Sequence, residues 1–314
     1  MNPIRTLDQL VESLQAAGRA AGAAARPRRV AVAAGQDPNS IQAAARASAE
    51  GIAEMILVGD RAKILDLCRQ RGIDAALFTI IDEPEVAVAG ARARDLVRER
   101  QAEVLMKGSL GTDKYMKLIL DKDRGLLAPG NVLTHLTVLD IPAYQKRHGK
   151  LLFVSDVAII PRPDLATKVK ILQYCIEAAH SFGIERPRAA LIAANEKVSE
   201  RMPDTLDAAV LAKMADRGQI GGAIVDGPLA LDVALSPEAC AIKELSSPVG
   251  GAADILVFPD ITAGNVFYKS VTQLAGGRLA GIVIGTTAPC VLTSRADDEE
   301  SKFLSIALGC RLAG

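Results

Sequence analysis

Residues 55–81, MILVGDRAKILDLCRQRGIDAALFTII, pass from a short apolar run through a helical stretch into a second apolar run. Met55–Val58 and Phe78–Ile81 read as strands, and Arg61–Arg71 reads as the helix that joins them. A strand–helix–strand unit of this length predicts parallel strands, because the crossover has to return along a face of the sheet. The pattern continues on both sides. Val30–Ala33 and Val104–Lys107 are further strand candidates, with helices over Asn39–Gly51, Glu85–Gln101 and Lys114–Asp121. The expected fold class is therefore α/β, with mainly parallel sheets covered on both faces.

After Leu126–Gly130 the rhythm changes. Val132–Leu139 and Lys150–Val154 are strand-like with a polar turn, Gln145–Gly149, between them, so an antiparallel pair is expected there. Alternation then resumes with helix Leu165–Phe182, strand Ala189–Ala193, helix Leu206–Arg217 and strands Ala223–Asp226 and Ile255–Phe258. Helix Val266–Gly276 and strand Gly281–Ile284 follow, then the stub Val291–Leu292 and an amphipathic helix over Asp297–Leu308. Two domains are expected from this: residues 1–128 with 286–314 as a discontinuous first α/β domain, and 129–285 as a second.

Composition narrows the function. The 314 residues are 49% hydrophobic but only 3% aromatic, so the core is aliphatic. Thirty-seven basic and 37 acidic residues cancel, which gives no electrostatic footprint for nucleic acid. Five cysteines without a C-x-x-C and three scattered histidines predict neither a disulfide framework nor a metal site. The N-terminus is an acidic amphipathic helix pattern rather than an export signal, and no apolar run approaches the roughly 18 residues of a membrane span. A soluble, cytoplasmic protein with no membrane partner is expected.

Ligands of open parallel sheets bind beyond the carboxyl ends of the strands, so the loops there are the places to look. VLMKGSLGTDKYMK (104–117) brings a strand-end lysine and two glycines to a helix start, where backbone N–H groups attract anions. An ordinary βα turn capped by Thr112 or Asp113 explains the same residues. VFPDITAGNVFYK (257–269) places Gly264 where close backbone approach or a positive φ is expected before a helix. In PCVLTSRADDEESKF (289–303), Arg295 has the planar fork that grips phosphate, and Asp297 with Glu300 fits a helix-start signal. DVAIIPRPD (156–164) and VDGPLALD (225–232) are weaker candidates, and the arginines between Arg92 and Arg100 read as a solvated helix face. Serine-hydrolase, zincin and simple dinucleotide-binding motifs are missing from the sequence.

Taken together, VLMKG (104–108), FVSDVAIIPRPD (153–164), VDGPLALD (225–232), SPVGGAADILVFPDITAGNVFYK (247–269) and APCVLTSRADDEESKFLSIALG (288–309) resemble the phosphate acetyl/butyryl-transferase family. MKGSLGTDKYMK, RMPDTLDAAVLAKMADRGQI and LTSRADDEESKFLSIAL resemble its butyryltransferase branch more than the acetyltransferase one. The resemblance implies two α/β domains related in fold to isocitrate and isopropylmalate dehydrogenases, with the active site in the cleft between them and a homo-oligomeric assembly. It implies the reaction acyl-CoA plus phosphate giving acyl phosphate plus CoA, with butyryl or another short acyl group. Coenzyme A is then substrate and product, and no cofactor is expected.

The family's serine–arginine pair carries onto Ser294 and Arg295. A second arginine of the acetyltransferases falls near Lys117, which keeps a cation but not the bidentate grip, and their aspartate falls close to Ser301. That last departure argues against a transferred general base, though Glu300 is a candidate. The expected substrate-binding residues are Lys107, Gly108, Thr112, Lys117, Asp260, Gly264 and Asn265, with the 108–113 and 261–266 loops as backbone donors. Three other readings stay open: an acetyl-CoA enzyme, a catalytically silent small-molecule-binding or regulatory relative, and a decarboxylating dehydrogenase, whose metal-binding aspartate cluster is not evident.

Overall fold

A computed structural model describes residues 2–21, 26–293 and 297–313. The chain forms two units, one of Met1–Thr6 with Thr134–Leu279 and the other of Leu7–Leu133 with Ala280–Gly314.

The second of these begins with α1 (Leu7–Ala21), followed by β1 (Arg28–Ala33), α2 (Pro38–Ala49), β2 (Ala53–Gly59), α3 (Arg61–Arg71) and β3 (Phe78–Asp82). Then come α4 (Val86–Arg98), β4 (Val104–Lys107) and α5 (Thr112–Ile119). β1 pairs in parallel with both β2 and β4, and β2 pairs in parallel with β3. Helix starts are written locally: Asp37 accepts from Ser40 N with Pro38 next in the chain, and Asp60 accepts from Lys63 N. Such caps contribute about 1 kcal/mol each. All four residues of β4 are buried, as expected of a strand covered on both faces. One reading fails in α4. Arg94 is buried, and its guanidinium grips Asp95, which also pairs with Arg124, so this arginine is not part of a solvated face.

The other unit opens with β5 (Thr134–Asp140), α6 (Pro142–His148) and β6 (Leu152–Ser155). β5 and β6 are antiparallel, as expected, but a short helix joins them rather than a polar turn. α7 (Leu165–Ser181), β7 (Arg188–Ile192), α8 (Pro203–Asp216), β8 (Ile224–Leu229), α9 (Leu231–Leu235) and α10 (Pro237–Ile242) follow, then β9 (Ile255–Val257) and α11 (Ile261–Leu274). β6, β9, β7 and β8 lie side by side in that order, all parallel. A core cluster of this unit is mainly aliphatic, built from residues such as Leu139, Leu152, Val154 and Leu256 around a few rings such as Phe258. Each such side chain contributes about 1.5–3 kcal/mol on full burial. α9 and α10 span five and six residues, too short to impose a readable period.

The chain then returns through β10 (Arg278–Ile284), β11 (Cys290–Val291) and α12 (Glu299–Leu312). β11 is antiparallel to β10 and parallel to β4. The amphipathic reading of α12 is wrong, since every residue from Lys302 to Cys310 is buried. A helix enclosed on all sides shows no polar face, and Lys302 is the sole charge within that run.

Candidate functional site

In the unit of residues 7–133 and 280–314, parallel pairing brings the carboxyl ends of β1, β4 and β11 side by side, with Ala33 opposite Lys107 and Val291 opposite Met106. The turn after β4 is stitched to the end of β1: Gly108 N donates to Ala33 O at 2.9 Å and Ser109 N to Ala34 O at 2.8 Å. A Cβ on Gly108 would run into the Ala33 and Ala34 carbonyls, so glycine is required there for close approach. Lys107 is buried and its ammonium donates to Gly108 O and Leu110 O, which fixes the path of its own loop. Tyr115, fully buried, sets its hydroxyl 3.0 Å from Leu105 O and 3.2 Å from Val291 O, joining β4 to β11. Burial pushes that phenol well above its usual range, so it serves here as a neutral donor.

α5 starts in this cluster, and its N-cap is Gly111 with no side-chain cap. The expected cap by Thr112 or Asp113 is absent; both side chains are exposed, as is Lys117 further along. The first N–H groups of α5 thus point from the strand-end cluster without a side-chain acceptor, which is the arrangement that favours an anion.

Ser294 and Arg295 lie outside the described residues. Thr293, two residues after β11, is buried, and Asp297 O accepts from Asn39 Nδ2 at 3.3 Å. The helix-start signal is displaced by one residue: Asp298, not Asp297, caps α12 by accepting from Ser301 N at 2.8 Å. Glu300 therefore occupies the first turn without the spacing of a capping box.

In the unit of residues 134–279, Asp260 caps α11 by accepting from Ala263 N at 2.9 Å, and Ile261 N donates to Pro161 O. The 261–266 segment is thus helix rather than loop, and its own aspartate occupies its N-terminus. This corrects the expectation that it supplies free backbone donors. Gly264 lies inside α11 and has no positive φ, but the close approach is real: a Cβ there would strike Asp156 O. Asn265 Nδ2 donates to Val157 O at 3.0 Å. Gly264 and Asn265 brace α11 against the segment after β6, while Asp260 caps the helix itself.

That segment is organised by Asp156, which the sequence marked only weakly. Its buried carboxylate accepts from Thr134 Oγ1 (2.7 Å) and His135 N on one oxygen, and from Ala158 N and Ile159 N on the other. A pocket of about 420 Å³ opens nearby between the starts of α7 and α8, walled by Arg162, Leu165, Pro203 and Asp204. At its base the buried Lys168 pairs with Asp207 at 2.8 Å. The sequence reading missed this pocket, because its walls come from two helices about 40 residues apart.

None of the five cysteines offers a nucleophile. All are buried and unpaired with one another, and burial pushes Cys175, Cys290 and Cys310 up to about 12. Among the described residues, no three His, Cys, Asp or Glu side chains are grouped as a metal would need.

Residues 14–107 and 85–310 match the model of a family described as phosphate acetyl/butaryl transferase. The chain belongs to that family. A phosphate butyryltransferase of Clostridium acetobutylicum is 43% identical over 287 residues, 91% of this chain and 94% of the relative. A phosphate acetyltransferase of Thermotoga maritima is 39% identical over 98% of this chain and 99% of its own. The crystal structure of a branched-chain phosphotransacylase from Enterococcus faecalis superposes with a TM-score of 0.80 at 32% identity, covering 91% and 99% of the two chains. The fold alone extends to a 4-hydroxythreonine-4-phosphate dehydrogenase of Klebsiella pneumoniae, with a TM-score of 0.54 at 16% identity, covering 92% and 100%. The phosphate acyltransferase family thus has a dehydrogenase-like α/β fold, as the resemblance implied.

Proposed function

We propose that this chain catalyses reversible transfer of a short acyl group between a CoA thioester and inorganic phosphate, with butyryl preferred to acetyl. Membership of the acyltransferase family over nearly the whole chain carries this reading. Identities of 43% to a butyryltransferase and 39% to an acetyltransferase favour butyryl by a narrow margin.

The chemistry needs no strong base. Phosphate is largely dianionic near neutral pH, and a thiolate is a good leaving group. The remaining work is to hold phosphate against the thioester carbon and to stabilise the oxyanion that forms. In this reading Arg295 grips phosphate through its fork and Ser294 donates to the oxyanion. The uncapped start of α5, with Gly108, Thr112 and Lys117, supplies further positive potential. Between the two helix starts weighed from sequence, α5 is favoured because α11 is closed by Asp260. Lys107, Asp260, Gly264 and Asn265 act in this scheme by shaping backbone that faces the substrates. Glu300 is held as the candidate proton carrier for the departing thiol. The scheme uses no cofactor besides the CoA substrate.

Two further points belong to the same reading: location in the cytoplasm, where CoA esters and phosphate are available, and assembly as a homo-oligomer. No helix among the described residues is long and apolar enough to cross a membrane.

The test is to mix purified protein with butyryl-CoA and phosphate, follow thiol release, and trap the acyl phosphate with hydroxylamine. Phosphate-dependent thiol release with stoichiometric acyl hydroxamate is expected. Tight binding of CoA esters without turnover would instead favour the silent-relative reading.

A further inference from the structure

The pocket between the starts of α7 and α8 draws its walls from two motifs that the acyl-transfer scheme leaves unused. DVAIIPRPD (156–164) supplies Arg162, Pro163 and Asp164, and RMPDTLDAAVLAKMADRGQI (201–220) supplies Pro203, Asp204 and Asp207. Each helix follows the carboxyl end of a parallel strand, α7 after β6 and α8 after β7. Lys168 and Asp204 also line a smaller adjoining cavity that reaches Ile192 and Val257, the last residues of β7 and β9. This is the edge at which open parallel sheets bind their ligands. A volume of about 420 Å³ suits a small molecule or one end of a larger one.

The charges in the pocket are not equivalent. Lys168 is 4% exposed and offsets Asp207 at 2.8 Å, with Asp204 further off at 3.9 Å. Asp164 is committed to its own helix, where it accepts from Thr167 N at 2.8 Å. Two groups keep unused capacity. Among the described residues nothing engages the exposed Arg162 guanidinium, whose planar fork matches a phosphate. Asp204 lies beyond hydrogen-bonding distance of Lys168 and remains an acceptor. Pro163, Leu165 and Pro203 add apolar surface on which a flat ring can rest. The carboxylates disfavour a bare anion, and no three of them are grouped as a metal would need among the described residues. The matching ligand has a phosphate at one end, a hydrogen-bond donor at the other and a flat body between. The nucleotide end of a CoA ester has all three.

We propose that this pocket holds the adenosine 3′-phosphate end of CoA, with Arg162 gripping the 3′-phosphate and Asp204 accepting from the purine 6-amino group. The proposal rests on the acyl-transfer reading, which makes a CoA ester the substrate. Lys168 is not a contact in this arrangement; it holds Asp207 and offsets the carboxylates at the base of the pocket.

The test compares equilibrium affinities of the full chain for three ligands: CoA, dephospho-CoA, which lacks the 3′-phosphate, and the 6-oxopurine analogue of CoA, which lacks the amino donor. The parent is expected to bind CoA roughly tenfold more tightly than either analogue, as the loss of one charge-assisted hydrogen bond implies. In Arg162→Ala the affinities for CoA and dephospho-CoA are expected to fall within about twofold of each other, while the preference over the 6-oxopurine analogue persists. In Asp204→Ala the reverse is expected. The readout is the ratio between ligands, because a variant that merely loosened the fold would weaken all three together and leave the ratios unchanged.

Parental discrimination that survives in either variant overturns the subsite, as does a parent that binds CoA and dephospho-CoA equally. Both results leave the acyl-transfer reading standing. That reading is decided separately: a parent that makes no acyl phosphate from butyryl-CoA and phosphate overturns it, whatever the affinities show.

Discussion

Gly264 packs directly beneath the main-chain carbonyl of Asp156, so that α11 rests on the segment leaving β6 with no room for a side chain between them. The contact is backbone against backbone, and Asn265 extends it by donating to Val157 O. Gly108 makes the equivalent approach to the Ala33 and Ala34 carbonyls in the other unit.

Gly264→Ala and Gly108→Ala are therefore expected to destabilise the protein. Backbone cannot yield as the far end of a flexible side chain would, and overpacking of this kind costs about 1–3 kcal/mol. Urea denaturation of each variant measures it. A change within experimental error of zero at either position would show that the close approach is not rigid.

Arg295→Lys keeps the charge and removes the two-pronged grip. If Arg295 holds phosphate through the transition state, turnover is expected to fall by roughly one to three orders of magnitude while the protein stays folded. Steady-state rates with butyryl-CoA and phosphate measure this, and near-parental turnover removes Arg295 from the site.

The acyl preference is expected to be modest. Each additional buried methylene contributes about 0.8 kcal/mol, so a pocket that takes two more favours butyryl over acetyl by roughly tenfold. The ratio of kcat/KM for butyryl-CoA and acetyl-CoA at saturating phosphate decides it. A value well below one places the protein functionally with the acetyltransferases.

Acid stability should carry the signature of Asp37. Burial alone would raise its pKa, but hydrogen bonds from Lys302 and Ser40 outweigh that and hold it below the usual carboxylate value of 3.8. A carboxylate with a depressed pKa in the folded state contributes stability above its unfolded pKa and loses it as pH falls through the folded value. Asp37→Asn is thus expected to lower Tm at neutral pH, with the gap to the parent shrinking once pH drops below 3.8. A gap that stays constant from neutral pH to pH 3 would mean that Asp37 is not linked to folding in this way.

Alkylation offers a simple check on mechanism. With all five thiols buried, and three pushed up to about 12, iodoacetamide is expected to leave the folded enzyme fully active. Inactivation in step with modification of one cysteine would reopen a thiol mechanism.

Local sequence determined the alternating elements and most of their starts. Apolar runs such as Met55–Val58 and Val104–Lys107 carry strand character in themselves, and Asp60 and Asp164 cap α3 and α7 through bonds to residues three positions on. The motif around Ser294–Arg295 was likewise legible, because the succession of residue types carries it. Two features were decided only by tertiary structure. α12 loses any polar face because neighbours enclose it on every side, and a helical period cannot register burial that is uniform around the axis. The Asp37–Lys302 pair joins residues 265 positions apart, a separation that only packing of α2 against α12 brings within hydrogen-bonding distance. Short-range hydrogen bonds and hydrophobic period act within a few residues of chain, whereas burial, close backbone approach and ion pairing depend on which elements come to lie against one another.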